Sequence, residues 1–205
     1  MAFRRKQAVP LGRVAALVVG LGNPGPMYRG TRHNIGFVAA DALAARLQTT
    51  ISGRDGPAQV GRAVVPGGDA DVLVAKPQTF MNLSGKAVAP LLRKHGLGPQ
   101  DLWVLHDEID LPFGRLRIRR GGGAGGHNGL VSIIESLGGA RDFNRLRLGV
   151  GRPEPEDAIE YVLGRFPDDQ RERVDALVGL AVDAVVAGLV EGLDTAMNRF
   201  NGRTV

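Results

Sequence analysis

The sequence predicts a single α/β domain in three layers, a mixed twisted sheet flanked by helices, with C-terminal helices covering the side that carries the site. Two observations support this class. Short apolar segments alternate with segments of helical spacing, and polar residues collect in the loops that follow the strands, where α/β proteins place their sites. No internal repeat or linker divides the 205 residues. We therefore expect one domain over residues 14–205, preceded by a flexible basic leader over residues 1–13.

The elements follow from hydrophobic spacing along the chain. Strands are predicted at 14–19, 58–65, 72–75, 102–105, 116–119 and 143–150. Helices are predicted at 34–47, 86–95, 130–137, 156–163 and 168–200, the last interrupted near Gly188 or Gly192. Thr31 is a candidate cap for the first helix. Residues 49–68, rich in glycine and aspartate, are expected to form a hairpin-like excursion that contains the second strand.

Composition narrows the function classes. The chain has no cysteine, which excludes disulfides and thiolate metal sites. It has no apolar segment of the length that a membrane span needs, so we expect a cytoplasmic protein. The net charge is +5 with a pI near 10.2. The excess is almost entirely arginine, which favours phosphate recognition.

The first strand is followed by Gly20, Gly22 and Gly25, which satisfy the spacing of a dinucleotide-binding loop. The context argues against that function. Pro24 and Pro26 delay the helix by about ten residues, and no acidic residue follows a second strand at the required distance. We expect the loop to be a rigid scaffold that places Asn23 and Tyr28 beside His33.

His33 is the strongest candidate catalytic residue, because an imidazole at the start of a helix is favoured in its neutral form and can act as a base. Asp107, at the end of a strand, is a candidate partner that would orient the ring. The alternative is a divalent metal site formed by Asp107 with His106, Glu108 and Asp110. These residues alternate around a strand end and lack a metal-binding spacing, so metal is the minority interpretation.

Other polar residues have weaker signals. Asn23, Asn82 and Asn128 lie in three loops that follow strands, and their amides would bind a peptide backbone or a water without adding charge. His127, in the glycine-rich loop, would either support the loop or contact the site. His95 and His106 have no special context and are expected to be structural or exposed. Ser84 and Ser132 lack a partner that would make either a nucleophile.

Arginine is concentrated near the end of the sheet. Residues 113–152 contain eight arginines and no lysine, with only Glu135 and Asp142 opposing them. Arg117 and Arg119 share one side of a strand, as do Arg145 and Arg147. Two adjacent strands would thus form a guanidinium patch suited to phosphate. The alternative is a solvated sheet face. Few aromatic residues are available to stack on bases, which favours backbone recognition.

Four motifs occur in the order found in bacterial peptidyl-tRNA hydrolases, and the chain closely resembles that family from about Val14 to Phe200. The motifs are GLGNPG with YRGTRHNIGF and Asp41, KPQTFMNLSG, HDEIDLPFG and GGGAGGHNGL. Two positions depart from the family pattern: Val131, where a basic residue is common, and Ala124, where histidine is common.

The resemblance implies hydrolysis of the ester that joins a peptide to the terminal ribose of tRNA, within translation and ribosome rescue, by a monomer that acts on peptidyl-tRNA without metal or organic cofactor. His33 would be the general base, Asp107 its partner and Asn23 a third catalytic residue. The substrate residues would be Tyr28, Met81, Asn82, His127 and Asn128, and the residues holding tRNA phosphate Arg119 and Arg147, with Arg117 beside them. The second hypothesis is a relative that binds RNA in RNA processing and has lost catalysis, although such a binder would not need the dyad.

Overall fold

The computed structural model describes residues 12–65, 67, 70–152 and 158–205. The predicted leader lies outside these ranges apart from residues 12 and 13, and so does the predicted start of the helix at 156. The expected fold class is confirmed: one seven-stranded mixed sheet is flanked by helices on both faces.

The strands are β1 Val14–Gly20, β2 Gly53–Asp55, β3 Ala58–Val64, β4 Asp71–Pro77, β5 Leu102–Glu108, β6 Leu116–Arg120 and β7 Asn144–Gly149. Their order across the sheet is β2-β3-β4-β1-β5-β7-β6. The central strands β4, β1, β5 and β7 are parallel, and β3 and β6 run antiparallel to them on either side. The edge strand β2 pairs antiparallel with β3. The expected hairpin excursion is β2 with β3. Parallel strands place their carboxyl ends at one edge, where the loops after β1, β4 and β5 meet.

The helices are α1 Ile35–Arg46, α2 Gly85–His95, α3 Asn128–Ser136, α4 Ala158–Leu163, α5 Arg171–Val190 and α6 Leu193–Phe200. Helices α1, α5 and α6 cover one face of the sheet, and α2 and α3 cover the other. Leu17 and Val18 of β1 pack into opposite cores, as alternation along a strand requires. Both faces are therefore buried, which explains the apolar central strands. No helix in the described ranges is long and apolar enough to cross a membrane.

The glycines after β1 allow α1 to pack closely against the strand. A Cβ on Gly20 would lie 2.1 Å from the Gly36 carbonyl oxygen, and one on Gly22 would lie 2.7 Å from the Phe37 ring. The α1 helix begins only at Ile35, after the short 3-10 turn Arg32–Asn34. This delayed start agrees with the argument against a dinucleotide loop, and the glycines have a packing role.

Two predictions about helix ends are resolved. Thr31 makes no capping bond through its side chain; its hydroxyl donates to the Tyr28 carbonyl oxygen at 2.8 Å, so the predicted cap was wrong. The long C-terminal helix is interrupted at Gly192, whose φ of +93° is readily adopted by glycine. Gly188 lies inside α5, where a Cβ would clash with the Trp103 ring at 2.4 Å.

Candidate active site

A cavity of about 530 Å³ opens at the edge where the parallel strands end. Its polar lining includes Asn23, His33, Asn82, Asp107, His127 and Asn128. Its apolar lining includes Phe80, Met81, Ile109, Ile159, Val162 and Leu163. Segments far apart in the sequence thus form one site, and the predicted candidates His33, Asp107 and the three asparagines lie together in it.

The central contact joins His33 to Asp107. Nδ1 of His33 lies 3.0 Å from both carboxylate oxygens of Asp107. An ionised carboxylate only accepts hydrogen bonds, so Nδ1 carries the proton and donates it. The opposite nitrogen, Nε2, then keeps its lone pair and can accept a proton. His33 lies in the turn before α1 and Asp107 at the end of β5, so packing of α1 on the central sheet brings them together.

A second histidine donates to the same carboxylate. Nδ1 of His127 accepts from the Gly129 backbone N–H at 3.1 Å and so caps the start of α3. The proton of a neutral His127 ring is then on Nε2, which lies 3.0 Å from Oδ1 of Asp107. His127 therefore both supports the loop and contacts the site, the two roles that the sequence left open.

Buried groups around this contact have displaced pKa values. Burial alone would raise the pKa of Asp107, but the charges and hydrogen bonds of His127 and His33 hold that pKa well below its usual range. Asp107 is therefore ionised at neutral pH. His106 is buried, and desolvation together with the nearby His127 charge lowers its pKa to about 3, which keeps it neutral.

His106 was expected to be structural or exposed, and it is buried with a structural role. Its ring lies edge-on to the His127 ring, with 4.9 Å between centroids, and its Nδ1 donates to the Asp107 carbonyl oxygen at 2.7 Å. Nε2 of His106 is buried without a hydrogen-bond partner among the described residues. His106 therefore packs behind His127 and adds bulk that keeps the His127 ring in place.

The side chains His33, Asp107 and His127 bring three potential metal ligands within 4.8 Å of one another. The hydrogen bonds argue against a metal centre. A metal ion on Nε2 of His127 would move that ring's proton to Nδ1, where the Gly129 N–H already donates. Of the other candidate metal ligands, Glu108 pairs with Arg147 at 3.1 Å. The geometry fits a proton network better than a metal site.

Asn23 is held by bonds that leave one polar group of its side chain available. Its backbone N–H donates to Oδ1 of Asn34 at 2.8 Å, and Nδ2 of Asn34 donates to the Asn23 carbonyl oxygen at 2.9 Å. Oδ1 of Asn23 accepts from the Met81 backbone N–H at 2.7 Å. The Nδ2 amide group of Asn23 therefore remains to donate into the cavity. Sequence reasoning missed Asn34, whose only signal was its position next to His33.

The remaining predicted substrate residues differ in position. Asn82 and Asn128 are exposed and line the cavity, whereas Met81 is buried in its wall. Tyr28 does not line the cavity; its ring meets the edge of Phe80, with 6.4 Å between centroids. The two serines are structural: Ser84 donates to the Met81 carbonyl oxygen at 2.7 Å, and Ser132 accepts from the Gly85 N–H at 3.0 Å.

Helix α4 contributes an apolar wall that the sequence did not assign to the site. Ile159 is 70% exposed and lines the cavity together with Leu163. The segment is attached to the turn that carries His33 by Arg32, whose guanidinium lies 4.1 Å from the Tyr161 ring centroid and donates to the Arg165 carbonyl oxygen at 3.0 Å. The expected helical cover of the site side is provided by α4, while α5 and α6 pack beside α1.

The arginines of the predicted face lie opposite one another on two adjacent strands. Arg117 lies opposite Arg147 and Arg119 opposite Arg145 on the adjacent strands β6 and β7. Arg117 and Arg119 are exposed, and Arg147 is half-buried beside Glu108.

Arg145 differs from these three because it is fully buried. Its guanidinium donates to the carbonyl oxygens of Gly122 and Gly123 and lies 4.4 Å from the Phe143 ring centroid. Burial and the neighbouring Arg147, Arg119 and Arg141 lower its pKa to about 10. Arg145 therefore anchors the glycine-rich loop and is not part of the exposed patch.

Known proteins resemble this chain in sequence and in fold. Residues 17–205 match the family model described as peptidyl-tRNA hydrolase. Peptidyl-tRNA hydrolase of Solidesulfovibrio magneticus is 49% identical over 92% of this chain and 94% of its own, and that of Chloroflexus aurantiacus is 48% identical over 90% and 98%. The crystal structure of peptidyl-tRNA hydrolase from Acinetobacter baumannii is 35% identical, with a TM-score of 0.83 over 96% of this chain and 99% of that one.

Proposed function

Because the chain belongs to the peptidyl-tRNA hydrolase family, we propose that it hydrolyses the ester between a peptide and the terminal ribose of tRNA. The products are the free peptide and tRNA. The observation that carries this proposal is the contact of His33 with Asp107 at the wall of a cavity large enough for part of a peptide. It supports attack by an activated water without a covalent nucleophile.

In the proposed reaction, Nε2 of His33 removes a proton from a water while the water oxygen bonds to the ester carbonyl carbon. The imidazolium that forms is stabilised by the ionised Asp107, and His127 holds that carboxylate in place. The tetrahedral intermediate then collapses, the bond between the carbonyl carbon and the ribose oxygen breaks, and the imidazolium returns the proton to that oxygen.

Asn23 is proposed to stabilise the negative charge on the carbonyl oxygen. Its Oδ1 is engaged by the Met81 N–H, which leaves the Nδ2 amide as a donor. A donor held in advance at the developing charge is an effective contribution to catalysis. Asn82, Asn128 and Met81 are proposed to bind the peptide, with Tyr28 supporting Phe80 and His127 supporting the loop.

The arginine face is proposed to bind tRNA phosphate through Arg117, Arg119 and Arg147. A guanidinium group can form two parallel hydrogen bonds with a phosphate. We further propose that the protein acts as a monomer in the cytoplasm, where peptidyl-tRNA arises from interrupted translation. The alternative of an RNA-binding relative without catalysis is disfavoured, because a binder does not need a histidine oriented by a carboxylate.

The test is peptide release from purified peptidyl-tRNA by wild type and His33→Ala. We expect the variant to lose about 10²–10⁴-fold in rate because the general base is removed, while its affinity for tRNA is kept. His95→Ala is the matched control, since His95 lies away from the cavity near Asp55. Unchanged release by His33→Ala would contradict the mechanism, and tRNA binding by a wild type without release would favour the non-catalytic alternative.

A further inference from the structure

A second groove of about 490 Å³ lies between the loop after β1 and the segment that joins α4 to α5. Three arginines, Arg29, Arg165 and Arg171, line it, and Asp168 is its acidic member. We call it the loop groove. It is separate from the arginine face of β6 and β7, and no role proposed above uses it.

The charge of the loop groove is largely uncompensated. Arg29 and Arg165 are exposed, and neither side chain has an ion-pair partner within the described part of the chain. Arg171 pairs with Asp168 at 3.4 Å, but the two side chains are 76% and 97% exposed. A pair so open to water contributes little and can be rearranged. The groove therefore offers guanidinium groups to an anion.

The loop groove lies directly beside the catalytic cavity. An isolated antiparallel bridge joins Thr31 to Arg165, and the Arg32 N–H donates to the Gly164 carbonyl oxygen at 3.0 Å. Leu163, before this bridge, lines the catalytic cavity, and Arg165 lines the loop groove. The linings of the two spaces are thus only two residues apart along this segment.

The loop groove and the arginine face lie on opposite sides of the sheet. Val174 of α5 lines the groove, so the groove is on the face covered by α1 and α5. The side chains of Leu146 and Leu148 also point to that face, so Arg147 and its neighbours project to the other. A nucleic acid whose end enters the cavity between them has basic groups on both sides.

We propose that the loop groove binds the phosphates of the nucleotides nearest the ester, at the 3′ end of tRNA, through Arg29 and Arg165. This inference rests on the proposed function, which places the terminal ribose at His33. Phosphates recur every few ångströms along a nucleic-acid strand, so those nearest the ribose fall within reach of a groove whose lining continues from that of the cavity through Leu163 and Arg165. The arginine face then holds phosphates farther from the ester.

The segment that joins α4 to α5 suits this role because several contacts fix its position. Arg32 lies against both Tyr161 and Phe166, at 4.1 and 5.3 Å from their ring centroids, and the Tyr161 hydroxyl donates to the Val150 carbonyl oxygen at 2.7 Å. The backbone that carries Arg165 is therefore fixed next to the turn that carries His33. Binding a phosphate there would set the position of the adjacent ribose relative to His33.

The experiment measures binding of two deacylated RNAs at several salt concentrations. One is intact tRNA, and the other is the same tRNA without its 3′-terminal nucleotides. We expect Arg29→Ala with Arg165→Ala to weaken binding of intact tRNA about 5–10-fold and to reduce its salt slope by about 1–2. Binding of the truncated RNA should match wild type. Arg119→Ala should weaken both RNAs, and the exposed Arg54→Ala, on the distant β2, should change neither.

Two results would overturn the inference. Equal binding of intact tRNA by the double variant and wild type would remove the groove from tRNA recognition. Equal losses for both RNAs would assign the groove to another part of tRNA. Arg29→Glu, in an exposed loop, repeats the test without altering the bridge. Failure of the proposed function is separate, because it would appear as absent peptide release by wild type.

Discussion

The cluster of His33, Asp107 and His127 and the arginine face are both rich in ionisable groups, yet they are built in opposite ways. Asp107 is buried and accepts hydrogen bonds from two histidines, each at 3.0 Å. Arg117 and Arg119 are exposed, and neither has an ion-pair partner in the described ranges. Proton transfer needs atoms fixed to within a fraction of an ångström, whereas attraction of a polyanion needs only concentrated charge. Substitutions should therefore change rates in the first region and salt dependence in the second.

The largest effect is expected at Asp107. In Asp107→Asn the amide can donate to His33, which favours the tautomer with the proton on Nε2 and removes the base. We expect kcat/KM for peptide release to fall about 10²–10⁴-fold, with tRNA affinity unchanged. Asp110→Asn is the control, because Asp110 is exposed and its ion pair with Arg152 is long, at 3.8 Å. A normal rate in Asp107→Asn would show that the hydrogen bond does not set the tautomer.

Arg145 has features of both regions, because it alternates with the other arginines of the face but its side chain is buried. Arg145→Gln should lower the free energy of unfolding by about 1–3 kcal/mol, since the carbonyl oxygens of Gly122 and Gly123 lose their donors. The exposed Arg117→Gln should change it by less than about 0.5 kcal/mol. Denaturant unfolding of both variants checks this. Equal stabilities would mean that Arg145 does not anchor the loop.

His106 should make the free energy of unfolding depend on pH. Its pKa is about 3 in the fold against an ordinary value of 6.5, so the unfolded chain binds its proton first as the pH falls. The stability contributed by neutral His106 is complete above pH 6.5 and declines between pH 6.5 and 3.

The matching measurement is the free energy of unfolding at several pH values for wild type and His106→Asn. The asparagine amide can still donate to the Asp107 carbonyl oxygen but does not titrate. We expect the slope of stability against pH in this window to be smaller in the variant by up to about 1.4 kcal/mol per pH unit. Parallel curves would show that another group governs the acid transition.

The smallest effect on stability is expected at Arg119. Its exposed side chain lies over Gly122, with 3.4 Å from Cζ to the position of a Cβ there. Arg119→Ala should leave the unfolding free energy within about 0.5 kcal/mol and lower the salt slope of tRNA binding by about 1. Arg54→Ala is the control. An unaltered slope would remove Arg119 from the proposed phosphate contacts.

Much of the fold was predictable because its signals are local. Apolar runs in the sequence predicted β1, β4 and β5. The polar residues that follow these runs indicated the edge of the sheet where His33 and Asp107 meet. Alternation also placed Arg145 and Arg147 on one face correctly. It could not show that the glycine-rich loop covers Arg145 but leaves Arg119 exposed, because burial depends on chain segments distant in sequence.

Other features could not be predicted for similar reasons. His106 follows an apolar run in β5, and its packing against His127, which comes from another loop, could not be read from the sequence. Asn34 follows His33 and carries no pattern of its own, yet it fixes Asn23 across the loop. Thr31 had the residue type of a cap, but the 3-10 turn after it moved the start of α1 to Ile35.

The contact between His33 and Asp107 joins residues 74 positions apart, and this separation has a kinetic consequence. The contact forms only after β5 pairs alongside β1, a parallel pairing whose loop closure makes it slow. During synthesis, a nascent chain that has not yet released β5 holds His33 without its partner. Activity should therefore appear late in folding, and recovery of peptide release after dilution from denaturant would report the formation of the central sheet.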